Sequence, residues 1–317
     1  MTLGEAEMNV RPDVALPDPD SLLQQPGSVW RIVGRRFFQR KVGIVGLILV
    51  TFMILVAVFA PLIAPYDPYQ NFIGQPGAER WAPPCVNALG CEGTQHIFGL
   101  DGNVRDFFSR VVYAARVSLP LGFTVVIVTI VVGTVIGAVA GYAGGWSDNV
   151  MMRIMDVVLG FPSLILAIAI VFVLGPGLRN TLLAIAIVTI PQYARVMRAS
   201  VLSIKEVDYV SASRALGASP LKVLVTRVVP NALTPLVVLG TLGVATVILE
   251  AAALGFLGLG AVPPTPEWGS MLAAERDRIF TAPHLMVFPG LAIMITVLGF
   301  NLMGDGLRDA LDPTLNK

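Results

Sequence analysis

Long uncharged apolar runs constrain this chain more than any other feature. Residues 42–64 and 117–143 contain no charged side chain, and each run exceeds the about 20 apolar residues that an α-helix needs to cross a bilayer. Only 14% of all residues are charged, whereas an average soluble domain carries about 25%. The runs predict an all-α, polytopic membrane protein.

Six transmembrane helices are predicted. The fourth apolar run has only about 15 residues before Arg195, or about 22 Å of helix, which is shorter than the hydrocarbon core. We therefore expect this helix to continue past Arg195, whose guanidinium can reach the interface. The predicted spans are residues 42–64, 117–143, 157–178, 180–194, 231–258 and 284–304.

The Lys and Arg distribution predicts the orientation. Most of the 22 basic residues fall in the inner segments if the amino terminus lies inside, as the positive-inside rule requires. Both termini of this multi-pass membrane protein are then cytoplasmic. The predicted segments are a largely disordered tail with a basic juxtamembrane end (1–41), a first helix (42–64), an outer loop (65–114), a five-helix core (115–305) and a cytoplasmic tail (306–317).

No catalytic or metal-binding pattern is present in the sequence. It has no G-x-x-x-x-G-K-[ST] phosphate loop and no H-E-x-x-H motif, and the balance of 22 basic and 21 acidic residues gives no indication of nucleic-acid binding. Cys85 and Cys91 lie in the predicted outer loop, where a local disulfide is the favoured interpretation. A metal site is disfavoured, because His96 is the only nearby imidazole.

Two features of the spans have structural and functional interpretations. Glycines recur every four residues at 133, 137, 141 and 145, which predicts a small-residue stripe for close helix packing. Glu250 is an acidic residue within the apolar run VATVILEAAALGFLGLG. An intramembrane carboxylate predicts either a structural hydrogen bond or ion pair, or a contact with cargo along a translocation path.

Residues 206–231 form a polar island between two apolar runs. Val210, Ala212, Ala215 and Leu216 have helical spacing, Gly217 is typical of a helix end, and Ser219-Pro220 is typical of a helix start. We expect two short helices that together meet a cytoplasmic protein. The alternative is an amphipathic loop that lies on the membrane surface.

The island resembles the cytoplasmic EAA loop of permease subunits of bacterial ABC importers, most closely the dipeptide/oligopeptide/nickel (DppC/OppC) type. Ser211-Ala212-Ser213 replaces E-A-A, while Gly217 and Pro230 match. The similarity covers about residues 42–313. It includes HIFGLDGNVRDFFSR in the outer loop, GYAGGWSDNVMMRIMDVVLGFPSL after the second span, EAAALGFLGLG and the tail FNLMGDGLRDALDP.

The resemblance implies the type I ABC importer (MetI-like) permease fold and a set of partners. These are a homologous second permease of the DppB/OppB type, two ATPases that would bind ATP and Mg, and an extracytoplasmic binding protein. The chain itself would bind no cofactor and would not be an enzyme. Its coupling loop (200–230) would dock on an ATPase, with Val210, Leu216 and Leu221 in a groove. The implied coupling residues are Asp208, Tyr209, Val210, Ala212, Arg214, Ala215, Leu216, Gly217, Ser219, Leu221 and Lys222.

Peptides are the cargo that the resemblance implies first. Relatives also handle nickel, haem and oligosaccharides, and the permease sequence separates these cargoes poorly. A secondary transporter is the alternative from a different class. It would work without ATPases, and Glu250 would then be its transport site.

Overall fold

The computed structural model describes residues 29–86 and 95–311, with side chains from residue 33 onward. Of the tail predicted to be largely disordered (1–41), residues 1–28 therefore lie outside the described residues, and residues 29–37 form a helix. Helices account for the architecture of the described part, where extended pairing is confined to isolated bridges. The helices are α1 (Val29–Phe37), α2 (Lys41–Val58), α3 (Ala60–Ile63), α4 (Phe107–Ala143), α5 (Gly145–Leu159), α6 (Ser163–Leu174), α7 (Leu178–Ile204), α8 (Asp208–Ala215), α9 (Pro220–Val223), α10 (Val229–Ala232), α11 (Thr234–Phe256), α12 (Trp268–Glu275) and α13 (His284–Leu311).

Five described helices, namely α2, α4, α7, α11 and α13, are long and apolar enough to cross a membrane. The pair α5 and α6 is apolar and long enough when taken together, and it is bent by 90° at the break. Counted as one span, hereafter the broken span, it brings the number to the predicted six. The prediction of one continuous span over residues 157–178 is wrong. The helix is interrupted before α6 at Pro162, whose backbone is extended. Proline has no N–H to donate and disfavours helical geometry at the residue before it.

Several predicted boundaries also differ from the structure. Helix α4 begins at Phe107, inside the segment predicted as outer loop (65–114). Asp106 caps this earlier start by accepting a hydrogen bond from the Ser109 N–H at 2.8 Å. Helix α7 continues past Arg195 to Ile204, as the length argument predicted. Helix α13 extends to Leu311, beyond the predicted end of the core at residue 305.

The glycine stripe packs α4 against α7. A Cβ at Gly133 would lie 2.7 Å from the Tyr193 Cβ, and one at Gly141 would lie 3.0 Å from the Arg198 carbonyl oxygen. The prediction of close helix approach is therefore confirmed for these positions. It is wrong for Gly145, which begins α5 after the turn, has a φ of +60° and has open space where a Cβ would be.

Gly137→Val is expected to destabilise the permease by about 1–3 kcal/mol, the cost of overpacking a tight contact. A Cβ at Gly137 would lie 2.8 Å from the Met197 Cβ and 2.9 Å from the Arg198 backbone nitrogen. The thermal denaturation midpoint of the purified protein in detergent measures the effect. Gly290→Val is the matched control, because Gly290 lies in helix α13 with open space around its Cβ position. Equal losses in both variants would contradict the packing role.

A buried polar network closes the end of the bundle that precedes α4. Asp101 is 2% exposed and accepts hydrogen bonds from the backbone N–H groups of Asn103 and Arg105, both at 2.9 Å. Its second oxygen lies 2.8 Å from the Arg105 Nη2 and 3.3 Å from the Arg110 Nε. Beside it, the His96 Nδ1 lies 2.8 Å from an Asp106 oxygen. One carboxylate therefore neutralises two arginines and fixes the turn into α4.

Glutamates join this network to the segment around α12. The two Glu275 oxygens accept hydrogen bonds from the Trp81 indole N–H at 2.8 Å and the Gly102 N–H at 3.0 Å. Burial raises the pKa of the Glu267 carboxyl, which caps α12 by accepting N–H bonds from Gly269 and Ser270. Cys85 pairs through its backbone with His96. Cys91 lies outside the described residues, and the disulfide stays a prediction.

Candidate functional site

The segment of residues 206–231, hereafter the two-helix segment, consists of two short helices that meet at a glycine. Helix α8 ends at Ala215, and Gly217 adopts a φ of +82°, a left-handed conformation that glycine accepts without steric cost. The Gly217 N–H donates to the Arg214 carbonyl at 2.9 Å. Helix α9 then starts at Pro220 after Ser219, whose side chain makes no capping bond. The structure thus has the two helices and the glycine junction that the sequence pattern predicts.

Val210 anchors the two-helix segment to the transmembrane bundle. It is fully buried and belongs to an apolar cluster that includes Met197 and Val201 of α7 and Val223 of α9. The prediction that Val210 enters a partner's groove is therefore wrong. Its side chain already packs in the core of its own chain, against residues of α7.

Leu216 and Leu221 are the most exposed of the large apolar side chains in the segment, with exposed fractions of 89% and 70%. Val225 follows at 55%. Exposed apolar side chains that lie together can mark a contact with another protein. Helices α8 and α9 enclose between them a groove of about 180 Å³, lined by Ser213, Leu216, Ala218, Lys222, Val223, Thr226 and Arg227. An exposed leucine pair beside a groove with two cations is suited to contact with another protein.

The other predicted coupling residues divide by their contacts. The Arg214 guanidinium lies 5.3 Å from the centre of the Tyr142 ring at the end of α4, so it holds the segment against the bundle. Lys222 lines the groove. The remaining predicted residues have exposed side chains: Asp208, Tyr209, Ala212, Ala215 and Ser219.

Two ion pairs tie α5 to α7 beside the two-helix segment. The Arg198 Nε and Nη2 atoms donate to the two oxygens of Asp148 at 2.5 and 2.6 Å, a bidentate geometry that is strong and directional. Arg195 forms a second pair with Asp156. The sequence argument did not single out these acids. Their separation by eight residues, which places them on one helix face two turns apart, is the signal that could have found them.

The Asp148 and Arg198 pair is expected to show an interaction energy of about 0.5–3 kcal/mol in a double-mutant cycle, the range for residues within one network. The cycle compares unfolding free energies of Asp148→Ala, Arg198→Ala and the double variant in detergent. Arg153 lines the same cleft, and no ion pair of the described residues includes it. A cycle of Asp148→Ala with Arg153→Ala should therefore be additive. Additivity for Arg198 as well would contradict the clamp.

Glu250 meets the broken span. The Ser163 hydroxyl at the start of α6 donates to the Glu250 Oε1 at 3.2 Å, and the carboxylate is half-buried. The partner is a neutral hydroxyl on the neighbouring helix rather than a cation. For metals, the described residues contain no group of three or more His, Cys, Asp or Glu side chains placed to hold an ion.

Two family models match the chain. Residues 133–317 match a model described as the binding-protein-dependent transport system inner membrane component. Residues 28–84 match the N-terminal transmembrane domain of oligopeptide transport permease C. The first match contains the broken span, the two-helix segment and Glu250, whereas the second contains α1, α2 and α3.

Characterised permeases are similar over nearly the full length. A dipeptide transport system permease protein, DppC, of Alkalihalophilus pseudofirmus is 46% identical over 91% of both chains. A di/tripeptide transport system permease of Pseudomonas aeruginosa is 43% identical over 97% of this chain and 99% of that one. A glutathione transport system permease, GsiD, of Shigella flexneri is 43% identical over 98% of this chain and 97% of that one.

Solved structures show the same fold. The MetNI methionine ABC transporter in inward-facing conformations matches with a TM-score of 0.53 and 20% identity, over 64% of this chain and 97% of that one. A second crystal form of that transporter gives the same TM-score. The shared architecture is the MetI-like, type I importer arrangement of helices.

Proposed function

The chain belongs to the family of binding-protein-dependent transport system inner membrane components, and from this premise we propose that it forms one half of the peptide path in an ATP-driven importer. The protein is a multi-pass membrane permease of the ABC importer class and not an enzyme. Permeases of this family work together with other permease, ATPase and binding-protein subunits. The specific partners are part of the proposal and are supported by the surfaces described above.

The observation that carries the peptide assignment is identity of 42–46% with permeases of dipeptide, di/tripeptide and glutathione transport systems, over at least 91% of the chain. The three named cargoes share amide-linked amino acids and a free ammonium. Peptides are therefore the cargo class, whereas nickel, haem and oligosaccharide remain outcomes that a transport assay separates.

The proposed partner of the two-helix segment is a cytoplasmic ATPase. Leu216 and Leu221 are exposed on it, and Val210 fixes the same segment to α7. An ATPase that binds the two leucines would therefore move α7. Through the Asp148–Arg198 pair it would also move α5. A second permease of the DppB/OppB type would close the path opposite, ATP and Mg would bind on two ATPase subunits, and both termini would lie in the cytoplasm.

Co-purification tests the whole proposal. The chain is expressed with a second permease, two ATPase subunits and a binding protein from the same organism, and this chain alone carries the affinity tag. We expect a stable complex whose ATP hydrolysis rises when the binding protein carries a peptide. A chain that purifies alone and transports peptide without ATP would overturn the importer in favour of a secondary transporter. Stimulation by nickel, haem or an oligosaccharide instead of peptide would overturn the cargo.

A further inference from the structure

We propose that Glu250 of α11, which contacts the bend of the broken span at Ser163, is the site in the translocation path that binds the ammonium group of the peptide. The inference rests on the proposed function and deepens it by assigning a recognition group to the path. Four observations carry it: the depth of the carboxylate, its open oxygen, the absence of a cation for it among the described residues, and the chemistry of the cargo.

Glu250 lies deep within the apolar layer. At 1.5 Å per residue it is about 9 Å from the end of α11 at Phe256. That end meets the loop after α6, where the Gly177 N–H donates to the Leu259 carbonyl at 3.2 Å. Ser163 is about 16 Å from the end of α6 at Leu174, because α6 runs for 12 residues between them. The Ser163–Glu250 contact therefore joins the break in one span to the interior of another.

The carboxylate has capacity left for a ligand. Only Oε1 takes part in the hydrogen bond from Ser163, and no hydrogen bond of the described residues reaches Oε2. The Glu250 side chain is half-buried, whereas Ser163 and Phe161, two residues before Ser163, are exposed. A carboxylate and an interrupted helix facing lipid would both be costly, and such groups normally line a water-filled cavity or contact protein.

The described part of the chain provides no cation for Glu250. None of its ion pairs includes this residue. Four arginines inside the long helices are engaged elsewhere: Arg110 with Asp101, Arg195 with Asp156, Arg198 with Asp148, and Arg116 over the Tyr113 ring. A counter-charge for the ionised carboxylate would therefore come from outside these residues.

A peptide with a free amino terminus brings such a charge. Its ammonium is common to cargoes that differ in every side chain, so one carboxylate can serve them all. The ammonium has three N–H donors and can engage both carboxylate oxygens. A residue in the path must bind the cargo only transiently. Glu250 can do so, because the exposed side chains near it leave the site open for the peptide to depart.

Transport assays in proteoliposomes test the charge. The complete importer is supplied with ATP and peptide-loaded binding protein, and peptide uptake and ATP hydrolysis are measured together. Glu250→Gln is expected to lower the uptake rate at least about tenfold, the effect of losing one charge-assisted contact, while stimulated ATP hydrolysis stays within about twofold. Glu250→Asp should recover most of the uptake. Leu249→Gln, which places the same amide one residue away, should transport normally.

Thiol labelling tests the location without relying on transport. In the assembled importer with a Glu250→Cys permease, a small cationic methanethiosulfonate should label position 250, with the unsubstituted complex as background. Peptide-loaded binding protein with ATP should slow labelling at least about threefold relative to ATP alone.

Any result other than those expected above contradicts the inference. Unchanged uptake by Glu250→Gln, or labelling that ignores the peptide, would exclude an ammonium site. Failure of Glu250→Gln to assemble, or a cysteine that is never labelled in the complex, would assign Glu250 to the contact with the second permease. A wild-type complex without ATP-dependent uptake would refute the proposed function itself, and the inference with it.

Discussion

Leu216→Asp is expected to lower ATP-driven peptide uptake at least about a hundredfold while leaving the permease folded in the membrane. Leu216 is 89% exposed, so the change removes almost no packing within the chain. In the complex, it would remove an anchor at the partner contact and bury an unpaired charge, and each of these effects costs several kcal/mol. The measurements are uptake in proteoliposomes and the amount of ATPase retained on the tagged permease.

Ser211→Glu is the matched control for Leu216→Asp. It adds one negative charge to the same helix α8 at an exposed position, where the family pattern itself has a glutamate. We expect uptake and ATPase retention close to those of the unsubstituted protein. Normal ATPase retention by Leu216→Asp would contradict the docking of the two-helix segment, whereas equal failure of both variants would indicate a general sensitivity of α8 to charge.

Asp101→Ala is expected to produce the largest loss of stability, about 3–5 kcal/mol, the cost of leaving a buried charge without its partner. Arg110 is only 5% exposed, and Asp101 is its carboxylate partner. The substitution also removes the acceptor of two backbone N–H groups in the turn before α4. The effect is measured by thermal denaturation in detergent, with the loss of the monodisperse complex as the readout.

Asp277→Ala provides the comparison for Asp101→Ala. Asp277 is an acid near the same end of the bundle, but its side chain is 91% exposed and its oxygen lies 3.8 Å from the Arg276 Nε. Solvent screens such a pair, and its removal is expected to leave the denaturation midpoint unchanged. A midpoint for Asp101→Ala that is equally unchanged would show that Arg110 finds another acceptor, for which the Pro68 carbonyl at 3.0 Å is the candidate.

The sequence determined the span count because hydrophobic length is a local property. An uncharged run of about 20 residues has to be helical in lipid, where no water satisfies the backbone. The junction of α8 and α9 was equally predictable, since Gly217 and the Ser219-Pro220 pair carry their conformational preferences wherever they occur. The bend of 90° between α5 and α6 was signalled by Pro162, but hydrophobicity alone made the segment look continuous.

Tertiary structure alone decided which side chains of these elements are free. Val210 and Leu216 are both apolar and both belong to the two-helix segment, yet one is fully buried against α7 and the other is 89% exposed. The partners of Asp148 and Glu250 were similarly hidden from the sequence. Each meets its partner through the packing of separate helices, and the direction in which a side chain points depends on how whole helices pack, which no local pattern encodes.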